Sequence, residues 1–291
     1  MSLKNKIDFA LIFTVTKANP NGDPLNGNRP RTDYDGYGEV SDVCLKRKIR
    51  NRLQDLGESI FVQSDDNRAE GDNFRSLKDR FENNSQIKAA GKERQLQTSI
   101  ACKTWYDVRA FGQVFAFGKS KGKNDEEDSD SISIGIRGPV TIQCARSIEP
   151  VVISSMQITK SVNLETENDP DKKASDTMGM KHRVEFGVYK TFGSINCQLA
   201  KKTGFSEEDA EKLLIALKSL FANDVSAARP DGSMEVVKVI WWKHNCENGQ
   251  YSSAKVHGTV KVTSNNGKVS PIIEVDSLPG LHTEIYDGVN M

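Results

Sequence analysis

Apolar residues alternate strictly near the start of the chain. From Ile7 to Lys17, the odd positions up to Val15 are all large and apolar, and two even positions are apolar as well. This pattern predicts a β-strand that is covered on both faces, as at the centre of a sheet. Shorter apolar or alternating runs predict further strands at 132–136, 140–145, 184–197, 236–242, 255–262 and 272–275.

Two segments show helical spacing instead. Residues 43–56 carry leucine and isoleucine at Leu45, Ile49, Leu53 and Leu56, after a capping Ser41 or Asp42 and before Gly57. Residues 206–221 begin with a Ser-x-x-Asp capping box. The order of strands and helices gives two β-α-β units with antiparallel pairing, which predicts an α+β fold with a ferredoxin-like or RRM-like core.

Long polar segments interrupt this core. Residues 60–124 are polar with a weak helical pattern between Asn73 and Phe81, so we expect a loosely organised insertion there. Residues 154–181 have strand-like flanks around a charged middle, which predicts a long hairpin. Residues 19–31 contain three Pro, two Gly and four Asn, which predicts irregular backbone.

Composition and cysteine pattern indicate where the protein is located. Lys and Arg total 40 and balance 40 Asp and Glu; 36% of residues are hydrophobic, and the mean hydropathy is −0.55. No apolar run reaches the roughly 18 residues of a membrane span, and no signal-type apolar region follows Met1, so we expect neither membrane insertion nor export. Five scattered cysteines without a C-x-x-C motif favour a reducing, cytoplasmic location.

Positive charge is concentrated in the first predicted helix. Residues 43–52 carry five basic residues and no acid, and the preceding loop adds Arg29 and Arg31. Such a patch suits phosphate and sugar contacts, although a solvated helix face is an equal alternative. A partial RNA-reading strand motif at Arg109–Phe117 is weaker, because a core segment with buried Phe explains it as well.

Recognisable catalytic motifs are missing from the sequence. Gly118-Lys119-Ser120 lacks the Gly at position 113 that a P-loop requires, no G-x-S-x-G occurs, and the four histidines have no metal-ligand spacing. We therefore predict no catalytic residue, no metal and no cofactor. Acidic residues between the first strand and the first helix are more typical of turns and caps: Asp23, Asp33, Asp35 and Asp42.

Six segments in fixed order carry a family resemblance: NPNGDPLNGNRPR, SDVCLKRKIRN, YDVRAFGQV, IRGPVTIQCARSIEPVV, TMGMKHRVEFGVY and ANDVSAAR. From the first strand to about Lys243, the chain resembles the backbone subunit of type I-C CRISPR effector (Cascade) complexes, within the RAMP superfamily. The resemblance implies a non-enzymatic subunit that stacks head to tail along the guide part of a CRISPR RNA and kinks it, leaving the guide free to pair with target DNA. Implied partners are the CRISPR RNA, target DNA through the guide, further copies of the chain, and the end-capping, large and small Cascade subunits.

The resemblance also implies a division of the chain: an RRM-like palm (1–59, 131–153 and 184–291), a helical fingers insertion (60–130) and a β-hairpin thumb (154–183). The implied RNA-binding residues are Asn19, Asn21, Arg29, Arg31, Lys46, Arg47, Arg50, Arg109, Arg146, Lys160, Lys181 and His182. Met178 and Met180 are candidate wedges between bases, or packing residues against a neighbouring copy. Internal salt bridges are the alternative for Arg109 and Arg146.

Two other functions stay open at this point. Related RAMP backbone subunits of type III complexes cut target RNA with an Asp in the loop after the first strand, and Asp33 is the nearest candidate here. A metal-dependent ribonuclease is therefore the alternative from another class. A generic single-strand RNA-binding RRM is the third, and it would need neither self-assembly nor a thumb.

Overall fold

The computed structural model describes residues 2–117, 132–159, 178–265 and 269–289. The β-strands are β1 (Ile7–Ala18), β2 (Gly22–Asp23), β3 (Arg29–Pro30), β4 (Tyr37–Val40), β5 (Gly112–Phe117), β6 (Ile132–Arg137), β7 (Val140–Ile142), β8 (Ala145–Pro150), β9 (Ile153–Thr159), β10 (Met178–Ile195), β11 (Met234–Lys243), β12 (Val260–Asn265), β13 (Val269–Val275) and β14 (His282–Asp287). The α-helices are α1 (Asp42–Asp55), α2 (Leu77–Glu82), α3 (Ser85–Ala89), α4 (Arg94–Thr104), α5 (Tyr106–Phe111), α6 (Cys197–Thr203), α7 (Glu207–Lys218) and α8 (Ser253–His257).

One antiparallel sheet organises the molecule, in the order β14-β11-β1-β10-β8-β4, with β7 and β9 also pairing with β10. Strand β1 pairs with β10 and β11 along nearly its whole length. In chain order, β1, α1, β8, β10, α7 and β11 form a β-α-β-β-α-β unit. The predicted α+β, ferredoxin-like class is therefore confirmed.

Both faces of β1 are covered, which explains its nearly continuous apolar sequence. Phe9, Leu11 and Phe13 pack in one core together with leucines of α1 and α7. Ala10 and Ile12 lie in a second core on the other face, with residues of α8, β10 and β11. Ser41 caps α1 as predicted, because its side chain accepts a hydrogen bond from the backbone N–H three residues later. The capping box at the start of α7 is also present.

The region after residue 59 is more ordered than the sequence indicates. Four helices and the β5–β6 pair enclose a separate hydrophobic core that includes Phe61, Phe81, Trp105, Phe115 and Ile134. The expectation of a loosely organised insertion was wrong. Three of these helices have only five or six residues, so their apolar positions never repeat often enough to give a periodic signal.

Other differences also have local causes. The strand expected at 255–262 is the end of α8 followed by β12, a change of structure within eight residues. Helix α6 was not predicted; Asn196 caps its start and Gly204, at φ +78°, ends it after only two turns. The partial RNA-reading motif is not one strand, since it is helical up to Phe111, and Phe115 is buried. None of the helices in the described part of the chain is long and apolar enough to cross a membrane.

Candidate nucleic-acid interface

The loop after β1 is attached to the base of a protruding hairpin. Strands β2 and β3 form a small hairpin that carries Arg29. Arg29 Nη1 donates to Ser155 Oγ at 3.1 Å and lies 3.4 Å from His182 Nδ1, while Ser155 Oγ and His182 Nδ1 are 2.8 Å apart. Because Ser155 is on β9 and His182 on β10, these contacts fix the loop against both strands of the hairpin.

Strand register shows which hairpin side chains share a face. Strand β9 pairs with β10 from Thr159 opposite Met178 to Ile153 opposite Val184. Successive side chains of a strand point to opposite faces, so Met178, Met180 and His182 lie on the same face as Ser155. Met178 is 67% exposed and Met180 is 56% exposed. We call Arg29, His182, Met180 and Met178 the hairpin row; it joins an arginine and a histidine to two exposed methionines.

The structure does not bring every predicted hairpin residue into this row. Lys181 lies on the opposite face, directly across from Met156. Lys160 and the expected hairpin tip lie outside the described residues. The alternation of strand faces was available from the sequence, but the face that meets the β2–β3 loop was not, because it depends on contacts over more than 120 residues.

Asn19 and Asn21 shape the loop. The Asn19 Nδ2 donates to the Asn28 carbonyl at 2.7 Å, and its backbone N–H donates to the Ala228 carbonyl at 2.9 Å. Asn21 Oδ1 accepts from the Ser41 N–H at 2.9 Å, which ties the loop to the start of α1. Both amides therefore hold the backbone that presents Arg29, instead of pointing freely into solvent.

Arg31 and Lys46 stay at the surface with local acidic partners. Arg31 Nη2 lies 3.3 Å from Asp23 Oδ1, and Lys46 Nζ lies 3.0 Å from Asp42 Oδ2, one turn earlier in α1. The four side chains are only partly exposed, and ion pairs near the surface contribute about 0–1 kcal/mol. Both cations thus remain accessible to a polyanion.

Two other basic residues of α1 face the insertion. Arg47 Nη1 donates to the Val62 carbonyl at 2.6 Å, and burial, with help from Arg50, lowers the pKa of Arg47. Arg50 Nε donates to the carboxylate of Asp107 at 2.9 Å. These two side chains join α1 to the insertion, so neither a free phosphate-binding face nor a solvated face describes them.

Arg109 is an internal residue. Its Nη2 lies 2.8 Å from Asp209 Oδ1 and 3.6 Å from Glu58 Oε2, and its guanidinium covers the Tyr106 ring. Burial opposes the charge, but the hydrogen bond to Asp209 and the nearby carboxylates outweigh it and raise the pKa of Arg109. The internal salt bridge considered from the sequence is the arrangement observed.

Arg146 and Asp33 form an exposed unit beside β4. Arg146 Nη2 donates to Asp33 Oδ2 at 2.5 Å, and its guanidinium lies over the Tyr37 ring. Asp33 Oδ1 also accepts from the backbone N–H groups of Asp35 and Tyr37, at 3.0 and 2.9 Å. Desolvation opposes these contacts, but the hydrogen bonds from Tyr37 and Arg146 prevail and lower the pKa of Asp33. Asp33 therefore organises a turn and orients Arg146.

Two exposed apolar residues were not predicted as functional. Leu25 is at the tip between β2 and β3, and Tyr34 lies in the turn organised by Asp33; both are fully exposed. A large apolar residue inside a turn-forming segment has nothing local to pack on, and this signal was available in the sequence.

Among the described residues, no group of three or more His, Cys, Asp or Glu could hold a metal ion.

The chain is similar in sequence to CRISPR-associated proteins. The family model described as "CRISPR-associated protein Cas7" matches residues 5–278. A relative of that same description from Haloferax volcanii is 27% identical over 228 residues, which span 73% of this chain and 63% of the relative. A solved "CRISPR RNA-guided surveillance complex, pre-nicking" has a chain with 16% identity and a TM-score of 0.47, covering 85% of this chain and 81% of the other. A second "CRISPR RNA-guided surveillance complex" gives 15% identity, a TM-score of 0.43, and coverage of 81% and 68%. Since the family model spans nearly the whole sequence, the chain belongs to the CRISPR-associated protein Cas7 family.

Proposed function

We propose that this chain is a non-catalytic subunit that binds CRISPR RNA within a surveillance complex. The observation that carries the proposal is the hairpin row, where Arg29 and His182 lie on the same face as two exposed methionines. The Arg29 guanidinium can contact phosphates, and exposed apolar side chains pack against or between bases. This combination fits a single RNA strand that passes across the base of the hairpin.

The finer features of the proposal are type I-C membership, head-to-tail stacking along the guide, and a kink made by the hairpin. A guide sequence varies, so its holder has to grip the backbone without reading bases. Arg146 supplies an exposed cation for this purpose, and Arg29, Arg31 and Lys46 supply partly exposed ones. Met178 or Met180 is the wedge at the kink, because inserting an apolar side chain unstacks a base step. Target DNA then pairs with the guide, and the end-capping, large and small subunits complete the particle.

Assembly with RNA tests this function. We expect the chain, co-expressed with a CRISPR RNA and the other genes of its complex, to purify on nuclease-protected RNA and to form a curved row of repeated copies in electron micrographs. The measurements are the length of protected RNA and the spacing between copies. A lone monomer that leaves the RNA unprotected contradicts the proposal and favours the generic RNA-binding alternative.

The ribonuclease alternative has a direct test at Asp33. Both carboxylate oxygens of Asp33 are engaged, by two backbone N–H groups and by Arg146, which suits a turn better than a metal-activated reaction. We expect no magnesium-dependent cleavage of an RNA paired to the guide, with either the wild-type chain or Asp33→Ala. Regularly spaced cuts that Asp33→Ala abolishes would instead establish the enzyme.

A further inference from the structure

A second polar site lies at the other end of the sheet. A cleft of about 490 Å³ opens between α4 of the insertion and α6, which follows β10. The hairpin row is at the end of β1 where Ala18 pairs with Val184, whereas α6 begins just after Ile195, the partner of Ile7. Eleven residues of strand separate these ends, or about 35 Å at the usual rise. The cleft is therefore distinct from the candidate interface.

Basic side chains line this cleft, and no carboxylate does. Its lining residues are Gln95, Thr98, Ser99, Cys102, Lys103, Arg109, Lys201, Lys202, Thr203 and Gly204. Arg109 is neutralised by Asp209, and Lys201 lies 2.5 Å from Glu247. Within the described ranges, Lys103 and Lys202 form no ion pair, so two positive charges from two different helices remain for an anion.

A buried hydroxyl gives an independent indication of a ligand. Thr203 is 6% exposed, and its Oγ1 has no hydrogen-bond partner among the described residues. Buried polar groups are nearly always paired, because an unpaired hydroxyl loses its hydrogen bonds to water without replacement. Thr203 lines the cleft next to Lys202. Its hydroxyl is covered in this rotamer, and a rotation of the side chain toward the cleft would place it beside the lysine as a donor to an oxyanion.

Helix dipoles do not by themselves explain the lysines. Lys103 is in the last turn of α4 and Lys202 in the last turn of α6, where positive charge offsets the partial negative charge of the helix end. That role is local to each helix and does not require the two lysines to line one cleft. Lys88, in the last turn of α3, bonds to Asn83 of its own segment at 2.9 Å and provides a comparison.

We propose that this cleft binds the phosphate of a nucleotide or of a nucleic-acid strand, with Lys103 and Lys202 as the cations and the Thr203 hydroxyl as a donor. Its volume is within the range of small-molecule sites, so a mononucleotide fits. The site stands independently of the proposed guide-binding function, because none of its residues belongs to the hairpin row.

Calorimetric titration of the full chain tests the site with AMP and pyrophosphate, and separately with a short RNA strand. We expect Lys103→Gln with Lys202→Gln to weaken AMP binding about tenfold or more, because two charge-assisted hydrogen bonds are lost. Thr203→Val keeps the side-chain shape and is expected to weaken binding about threefold. A strand that binds more tightly than AMP through the same lysines identifies nucleic acid as the source of phosphate; equal affinity identifies the free nucleotide.

Control variants make the result specific. Lys88→Gln removes one positive charge from a helix end elsewhere and should leave AMP binding unchanged, while thermal melting shows that each variant is folded. No AMP or pyrophosphate binding by the wild-type chain in the millimolar range overturns the site, as does an equal loss with Lys88→Gln.

Discussion

Replacing Asp107 with Ala is expected to lower the free energy of unfolding by about 3–5 kcal/mol, the usual effect of removing one partner of a buried ion pair. Asp107 is 1% exposed. Its carboxylate accepts from the N–H groups of Phe61 at 2.7 Å and Val62 at 3.1 Å, and from Arg50 Nε at 2.9 Å. Ala leaves two backbone donors and a largely buried guanidinium without an acceptor. The lost contacts join α1, α5 and the start of the insertion.

Urea unfolding at neutral pH measures this loss. Asp42→Ala is the matched control, since it breaks the partly exposed Lys46–Asp42 pair on α1, the helix that carries Arg50, and should cost about 1 kcal/mol or less. Asp107→Asn keeps one acceptor oxygen and should give an intermediate value. A loss for Asp107→Ala no larger than that of the control would contradict the assigned role.

The same contacts change what Arg50 is expected to do. A basic face on α1 suggested RNA contacts by Lys46, Arg47 and Arg50, but the side chains of Arg47 and Arg50 are committed to Val62 and Asp107. Arg50→Ala should therefore lower the free energy of unfolding, and it should not remove a direct contact to RNA. Lys46 remains the member of this group that is accessible to phosphate.

The sequence predicted long, regular elements best. Strand β1 and helices α1 and α7 each have ten or more residues, so their periodic positions identify both the element and its buried face. The helices of the insertion could not be identified in this way, because they are short and bury Phe61, Phe81 and Trp105 by tertiary packing, without a repeating pattern. The same limit applies to the candidate site.

Local chemistry predicted the loop and the hairpin, but not how they meet. Proline, glycine and asparagine in residues 19–31 indicate irregular backbone, and alternation indicates the hairpin strands. The contact of Arg29 with Ser155 and His182 depends on pairing between distant segments, which one sequence does not encode in any local pattern. The acidic partners of Arg50 and Arg109 could not be predicted from the sequence for the same reason, since they lie 57 and 100 residues away.

The second large effect is expected on RNA affinity, when the hairpin row loses its arginine. Arg29→Gln is expected to weaken guide RNA binding about ten- to a hundredfold, because a charge-assisted contact contributes about 1.5–3 kcal/mol. The loss should be equal for unrelated guide sequences, since a phosphate contact carries no base information. The slope of log affinity against log salt should also fall by about 0.7, the value for one phosphate of a single strand. Fluorescence anisotropy of labelled RNA over a range of salt concentrations measures both quantities.

Lys181→Gln is the matched control, because Lys181 is next to His182 on β10 but lies on the face of the β9–β10 hairpin opposite to the one that Arg29 contacts. If the RNA follows the row, this variant should change affinity less than twofold and leave the salt slope nearly unchanged. Equal losses for the two variants would mean that affinity follows the total positive charge of the loop and the hairpin together, and the one-face arrangement would be wrong. A loss with Arg29→Gln that depends on guide sequence would contradict backbone recognition, since only a contact to base edges distinguishes one guide from another.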